Sequence, residues 1–222
     1  MGTGRVAVPL AAAGHEVTGV DNDPQMLERA RAKWQRSGAA GRLTLIQHDL
    51  TTLALEQRFA LVFVALNSLL LLHGRGAQQR ALKVMRAHLA PGGRAVVDVW
   101  LPKPDDLELY DGRQVLDWLR TDTETGERVA KTTAATYDAA THTAKLSTVF
   151  DVARPDESER RATREDAISF MARDDLVAAA RAAGLAPEVI AGDYNLGPWS
   201  EASERVVLVL RDIESVGGRT SI

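Results

Sequence analysis

A pair of glycines is followed by an aspartate at the spacing that nucleotide-binding turns require. Gly2-Thr3-Gly4 precedes an alanine-rich apolar segment, residues 6–13, which predicts a short helix ending at Gly14. A β-branched run over residues 16–20 then ends on Asp21, roughly twenty residues after the glycines. Glycines let a backbone approach a ligand closely, and an acidic side chain at the next strand end can bind ribose hydroxyls. The segment therefore predicts a nucleotide-binding unit.

Helix and strand patterns continue to alternate after Asp21. Asp23 before Pro24 is typical of a helix N-cap followed by proline at the first helical position. Asp49 comes just past a second predicted strand, so it repeats the placement of Asp21. The later predicted elements are strands at residues 43–47, 59–65 and 94–101 and a helix at residues 78–89 that ends before Pro91, Gly92 and Gly93. This order predicts an α/β fold with a doubly wound, mostly parallel sheet.

The pattern changes after Pro102 and Pro104. Successive strands are predicted at residues 115–121, 129–137, 144–152 and 168–171, which indicates an antiparallel insertion from about residue 107 to residue 171 after the fifth strand. The charge-dense segment 154–166 is interpreted as a solvated loop. A helix at 174–183 and strands at 187–191 and 205–210 then restore the α/β pattern. We therefore expect one domain over residues 1–222, with an end that frays beyond Asp212.

Composition and charge exclude several classes of site. The 222 residues carry 27 basic and 30 acidic side chains, a formal net charge of −3, so a nucleic-acid partner is not expected. The absence of cysteine excludes disulfides, a Cys-zinc site and a thiol nucleophile, and no metal site is predicted. The longest apolar stretch, residues 61–72, is too short to span a bilayer, so no membrane partner is expected. Without a recognisable signal peptide, a cytoplasmic location is expected. Oligomeric state is not indicated.

Four segments together resemble one enzyme family. The run GTGRVAVPLAAAGHEVTGVDNDPQMLERARAK closely resembles the first two motifs of the class I S-adenosylmethionine-dependent methyltransferases. LTLIQHDL resembles their third strand, FALVFVALNSLLLL their fourth strand and loop, and LAPGGRAVVDVWLP their fifth strand with its Pro-Gly-Gly entry. The motifs follow the family order between Gly2 and Pro102. An NAD-dependent oxidoreductase fits Asp21, but it fits Asp49 and the Pro-Gly-Gly entry poorly.

The resemblance implies cofactor contacts at successive strand ends. The residues concerned are Gly2, Thr3, Gly4, Asp21, Asn22, Asp49, Leu50, Ala65 and Asn67. The glycine segment would lie against the methionine part of S-adenosylmethionine, and the first aspartate would bind the ribose hydroxyls with the asparagine beside it. The second aspartate would accept from the adenine amino group, with the leucine near the ring. The last two residues would line the cofactor where its methyl group faces the acceptor.

The sequence departs from the family pattern at its first motif. Family members begin this motif with a strand that ends in an acidic residue, followed by Gly-x-Gly-x-Gly. Here the sequence starts at the residue that matches the middle glycine, so the strand, its acidic residue and the first glycine are missing from it. Two explanations stay open: a truncated sequence, or a sheet that closes without that strand and binds the cofactor weakly or not at all.

The acceptor side is harder to interpret. Methyl transfer is an in-line displacement in which a general base is optional. His73, just after the fourth-strand loop, is the candidate base; an exposed histidine at a helix entry is the alternative interpretation. The insertion resembles the substrate-covering sheet of methyltransferases that act on amino sugars or glycine-type amines. The aromatic residues that could line its pocket are Trp100, Tyr110, Trp118, Tyr137, Phe150, Phe170, Tyr194 and Trp199.

These observations favour transfer of a methyl group to nitrogen or oxygen of a small-molecule acceptor. Methylation of an RNA or a protein is a second hypothesis, against which the balanced surface charge and the covering insertion count. A third hypothesis is a non-catalytic Rossmann-like module that acts by weak binding or protein contacts. The incomplete first motif is the observation that favours the third.

Overall fold

The computed structural model describes residues 1–123, 125–156 and 158–214. The chain divides into two compact units, Met1–Arg58 and Phe59–Ile222. Most of the tail that was expected to fray, residues 215–222, lies outside the described residues. None of the helices in the described ranges is long and apolar enough to cross a bilayer.

The first unit alternates helices and parallel strands. Its elements are α1 (Ala7–Ala12), β1 (Glu16–Asp21), α2 (Pro24–Ser37) and β2 (Arg42–Gln47). The two strands pair in parallel, with Asp21 opposite Gln47 at their carboxyl ends. The core of this unit is formed by Ala7, Ala11 and Val17, against which Met1, Leu10, Trp34 and Leu43 pack.

The start of α2 confirms the capping prediction. The Asp23 carboxylate accepts hydrogen bonds from the backbone N–H groups of Gln25 at 2.8 Å and Met26 at 3.4 Å, and Pro24 occupies the first helical position. These bonds satisfy amides that have no partner inside the helix. The helix is thereby fixed two residues after the end of β1, which keeps Asp21 at the strand end.

The second unit contains two four-stranded sheets. Its elements are β3 (Phe59–Val64), α3 (Gly74–Ala87), β4 (Leu89–Trp100), α4 (Pro104–Glu108), β5 (Asp111–Thr121), β6 (Arg128–Asp138), β7 (Thr143–Ala153), β8 (Glu159–Ser169), α5 (Arg173–Ala182), β9 (Leu185–Ala191) and β10 (Arg205–Asp212). One sheet has the order β3-β4-β10-β9 and the other the order β5-β6-β7-β8.

The first of these sheets forms the core of the second unit. β3 and β4 run parallel, while β10 is antiparallel to both β4 and β9. Val97 and Val99 of β4 and Leu208 of β10 are completely buried, as expected for strands covered on both faces. The Pro-Gly-Gly segment that was predicted to end a helix lies instead inside β4, because the preceding helix already ends at Ala87.

The second sheet is an antiparallel meander over Asp111–Ser169, inside the predicted insertion of residues 107–171. The prediction of a solvated loop over residues 154–166 is wrong from Glu159 onwards, because these residues form the edge strand β8. Most of its charged side chains are exposed, and an edge strand needs no continuous apolar face. Arg161 stands opposite Asp151 of β7 and makes two hydrogen bonds to its carboxylate, at 2.6 and 3.1 Å.

Candidate active site

The glycine segment of the first unit has the backbone conformation that glycine favours. Gly2 and Gly4 have φ angles of +59° and +75°, in the left-handed region. A Cβ atom at Gly4 would lie 2.7 Å from Cγ2 of Val8, whereas a Cβ atom at Gly2 would meet nothing within 4 Å. Gly4 is therefore required by packing. Gly2 borders open space that a ligand could occupy, and Thr3 between them is exposed.

The carboxylate of Asp21 binds this glycine segment directly. Its Oδ2 accepts hydrogen bonds from the Met1 ammonium group at 2.8 Å and the Gly2 N–H at 2.6 Å, and its Oδ1 accepts from the Asp23 N–H at 3.0 Å. Burial raises the pKa of Asp21, but the hydrogen bonds from the terminal ammonium and the two amides outweigh burial and lower it. The group is thus an ionised acceptor at neutral pH. The neighbouring Asn22 is exposed.

The end of β2 lies beside Asp21. The His48 N–H donates to the Asp21 carbonyl oxygen at 3.0 Å, so the two predicted strand-end aspartates stand at the same edge of the first unit's sheet. The exposed Asp49 carboxylate accepts from the N–H and hydroxyl groups of Thr51, at 2.6 and 2.8 Å. Leu50 is half-buried. The structure therefore brings together the residues of the first unit that the sequence placed in the cofactor site.

The turn after β3 in the second unit contains two residues in an unusual conformation. Leu66 and Asn67 have φ angles of +57° and +64°, although neither is a glycine. The Leu66 N–H donates to Oδ1 of Asp98 at 2.8 Å, and Oδ1 of Asn67 accepts from the Trp100 N–H at 2.7 Å. Both contacts come from β4. They hold Ala65 and Asn67, the predicted cofactor contacts of this unit, in one tight turn.

Asp98 is a functional candidate that the sequence reasoning missed. Its side chain is 3% exposed, and its Oδ2 accepts from the Tyr194 hydroxyl at 2.9 Å, with Nη1 of Arg205 3.6 Å away. The same guanidinium donates to the Tyr194 oxygen at 2.6 Å and lies over its ring. Burial and the bond to Asp98 raise the pKa of Tyr194, against an opposing effect of Arg205. A lone aspartate inside the apolar run AVVDVW was the available signal.

The candidate base lies outside these contacts. His73 occupies the N-cap position of α3, is exposed and makes no side-chain capping bond. The next amide, the N–H of Gly74, donates to Oγ of Ser169 at 3.2 Å, which places this helix start near the end of β8. The geometry therefore does not orient the imidazole, and its role as a base stays a prediction.

Three of the predicted pocket aromatics form a cluster in the second unit. Phe170 packs edge-on against Trp100, with ring centroids 5.7 Å apart, and lies 6.1 Å from the Tyr137 ring. The Tyr137 hydroxyl is 3.0 Å from Nδ1 of His142. Because Trp100 ends β4 and its amide binds Asn67, this cluster adjoins the turn after β3. Four of the remaining five aromatics make other ring contacts: Trp118 with Phe150, Trp199 with Arg173 and Tyr194 with Arg205.

Comparison with known proteins shows which enzymes the chain is similar to. A model described as a methyltransferase domain matches residues 1–93, which include the glycine segment, both strand-end aspartates and the turn after β3. Residues 1–93 thus match a methyltransferase domain, and the chain as a whole has the fold of the Rossmann-like methyltransferases. This confirms the resemblance and the α/β fold class, with S-adenosylmethionine as the cofactor of the family. No protein of curated function matches the sequence.

Solved structures of methyltransferases resemble this chain over most of its length. The CcbJ methyltransferase from Streptomyces caelestis is 27% identical with a TM-score of 0.74, covering 95% of this chain and 80% of its own. The sugar N-methyltransferase KedS8 from Streptoalloteichus is 23% identical with a TM-score of 0.72, covering 95% and 77%. The amino pentose methyltransferase CalS10 from Micromonospora echinaspora is 24% identical with a TM-score of 0.67, covering 94% and 79%.

Proposed function

We propose that this methyltransferase transfers a methyl group from S-adenosylmethionine to nitrogen or oxygen of a small molecule. The observation that carries the proposal is the contact of the ionised Asp21 carboxylate with the open glycine segment, inside the matched methyltransferase domain. The antiparallel meander and the aromatic cluster support a small acceptor. Two of the similar structures are methyltransferases of a sugar nitrogen and of an amino pentose.

The residues of the first unit fit the cofactor. The open space at Gly2 leaves room for a ligand against the backbone. The Asp21 carboxylate has one donor on Oδ1 and two on Oδ2, so an acceptor position remains for a ribose hydroxyl. Asp49, exposed at the same edge, has the acceptor chemistry that an adenine amino group requires. We assign these contacts, with Thr3, Gly4, Asn22 and Leu50 beside them, to cofactor binding.

In the second unit, Ala65 and Asn67 are assigned to the place where the methyl group meets the acceptor. Asn67 uses its Oδ1 on the Trp100 amide, so its side-chain NH₂ is the group that can donate to a ligand. When bound, S-adenosylmethionine supplies an electrophilic methyl group on a sulfonium. The protein contributes alignment and removal of water, for which the cluster of Trp100, Tyr137 and Phe170 is suited. His73 is assigned to receive the proton that the acceptor loses.

Calorimetric titration with S-adenosylmethionine and with S-adenosylhomocysteine tests this function. We expect saturable binding with a Kd of about a micromolar or below, and weakening of about tenfold or more in Asp21→Asn. Asp23→Asn is the matched control, because asparagine caps a helix as well as aspartate does and the variant also loses one carboxylate two residues away. Amino sugars are then screened as acceptors by mass spectrometry of the methylated product.

Three outcomes would contradict the proposal in different ways. A folded chain that binds neither compound is not an active methyltransferase by itself, which favours the non-catalytic module. Equal affinities in Asp21→Asn and the wild type would remove Asp21 from the cofactor site. Transfer to RNA or protein, with no small acceptor methylated, would support the macromolecular alternative.

A further inference from the structure

The Asp98 carboxyl group makes hydrogen bonds in two directions, to two different loops of the second unit. Oδ1 binds the Leu66 amide of the turn after β3, and Oδ2 binds the Tyr194 hydroxyl of the loop between β9 and β10. Leu66 and Tyr194 lie 32 and 96 positions from Asp98 along the chain. The Asp98 side chain thus connects two separate loops to β4.

The Leu66 contact holds a turn that is unfavourable by itself. A leucine in the left-handed region is strained, and it persists only where the surroundings stabilise it, whereas asparagine tolerates this region. Leu66 and Asn67 are consecutive here, and each is fixed by a hydrogen bond to β4: Leu66 through Asp98, and Asn67 through the Trp100 amide. Without the first bond, the turn that carries Ala65 and Asn67 would relax toward ordinary backbone angles.

The Tyr194 contact holds an exposed ring. Tyr194 is 57% exposed, yet its hydroxyl is fixed between the Asp98 carboxylate and the Arg205 guanidinium. Arg205 also lies 4.5 Å above the ring and covers one face. A tyrosine that is fixed at its polar end presents the rest of its ring to a ligand at a low cost in side-chain entropy.

We propose that Asp98 is a positioning residue with two separable effects. Its bond to Leu66 sets the turn that binds the cofactor, and its bond to Tyr194 sets an aromatic contact for the methyl acceptor. The first effect rests on the proposed function, because it assumes that the turn after β3 binds S-adenosylmethionine. The second places Tyr194 among the residues that select the acceptor.

Three variants separate the two effects. Asp98→Ala removes both bonds. Asp98→Asn keeps an oxygen for the Leu66 amide but loses the acceptor for the Tyr194 hydroxyl, and Tyr194→Phe loses only the hydroxyl. The measurements are hydrogen exchange of the Leu66 amide and of residues 193–204, and calorimetric affinity for S-adenosylhomocysteine.

We expect Asp98→Ala to raise exchange at both places and to weaken S-adenosylhomocysteine binding by about tenfold. Asp98→Asn and Tyr194→Phe should raise exchange only in residues 193–204 and leave the affinity within about threefold of the wild type. Once a methyl acceptor has been identified, Tyr194→Phe should raise KM for that acceptor more than it lowers kcat. If Asp98 only stabilised the fold, the three variants would not differ in this way between hydrogen exchange, cofactor affinity and KM for the acceptor.

Several results would overturn the proposal. A rise in exchange across the whole second unit in all three variants would show a structural role alone. Asp98→Asn that loses as much affinity as Asp98→Ala would remove the division into two effects. If Asp98→Ala does not fold, unchanged exchange of residues 193–204 in the other two variants would also contradict the proposal. A wild type that fails to bind S-adenosylhomocysteine refutes the proposed function and the cofactor effect, while exchange still decides whether Asp98 holds both loops.

Discussion

Asp21 in the first unit and Asp98 in the second are two aspartates at the carboxyl ends of strands, and they are stabilised in opposite ways. The donors to Asp21 all lie within 20 positions of it in sequence, and its side chain is 16% exposed. Asp98 is buried, and the donors that bind it come from 32 and 96 positions away. A locally bound carboxylate remains open to a ligand, whereas a buried one fixes the loops that contact it.

The largest difference between the two should appear in stability. Asp98→Ala removes a buried carboxylate and leaves the Leu66 amide, the Tyr194 hydroxyl and Arg205, all partly exposed, without that acceptor, so we expect a loss of about 3 kcal/mol in the free energy of unfolding. Asp21→Ala should cost about 1 kcal/mol, because the Asp21 side chain is 16% exposed, against 3% for Asp98, and lies closer to water. Urea unfolding of both variants measures the difference. Equal losses of stability in Asp98→Ala and Asp21→Ala would show that the two aspartates do not differ in their contribution to folding.

The pH dependence of Asp21 gives the next largest effect. Its pKa is lowered in the folded state, so its stabilising contribution is present above the unfolded value of about 3.9 and is lost as pH falls through the folded pKa. We expect Asp21→Asn to be less stable than the wild type by about 1 kcal/mol from pH 7 to pH 5, and the gap to close below pH 4. Urea midpoints at several pH values measure it. A gap that persists below the folded pKa would show that charge is not the cause.

Tyr194 should show the reverse dependence. Its pKa is raised above 10.0, so the contribution of its hydroxyl is present below that value and is lost as pH rises through the folded pKa. Tyr194→Phe should cost about 1 kcal/mol at pH 7 and equally at pH 9, because one hydrogen bond is lost. Unfolding at both pH values measures this. A cost that already shrinks by pH 9 would mean that the hydroxyl ionises earlier than its contact with Asp98 allows.

The smallest effect concerns the strained turn. Leu66→Gly removes the strain of a left-handed leucine but adds backbone entropy to the unfolded chain, so we expect a net gain below about 1 kcal/mol. Leu196 is the matched control, because its φ of +62° and exposure of 51% resemble the +57° and 41% of Leu66, without a bond to Asp98. Similar unfolding shifts in both glycine variants are expected. A loss confined to Leu66→Gly would show that its side chain matters.

The local features of the first unit could be predicted from the sequence. Asp23 and Pro24 indicate the start of α2, and Asp21 lies where a short β-branched run ends. These signals lie within a few residues of what they determine. Asp98 could be noticed as a polar residue in an apolar strand, but its partners depend on how distant loops fold back. No local pattern specifies Tyr194 or Arg205 as those partners.

The prediction for β8 failed for another reason. Burial on one face produces the alternation of apolar and polar residues by which strands are recognised, and β8 lacks it over residues 159–165 because this edge of the meander is mostly exposed. A charge-dense sequence then resembles a solvated loop. Pairing with β7, which no single segment reveals, makes it a strand.

The facing pair of Asp151 and Arg161 has a consequence for the way the chain folds. The two side chains are ten residues apart in sequence, so their attraction acts as soon as the hairpin between β7 and β8 closes. A shift of pairing by one residue would separate them and turn the side chains of β8 to the opposite face. The pair therefore favours the observed alignment of β7 and β8 over one shifted by a residue.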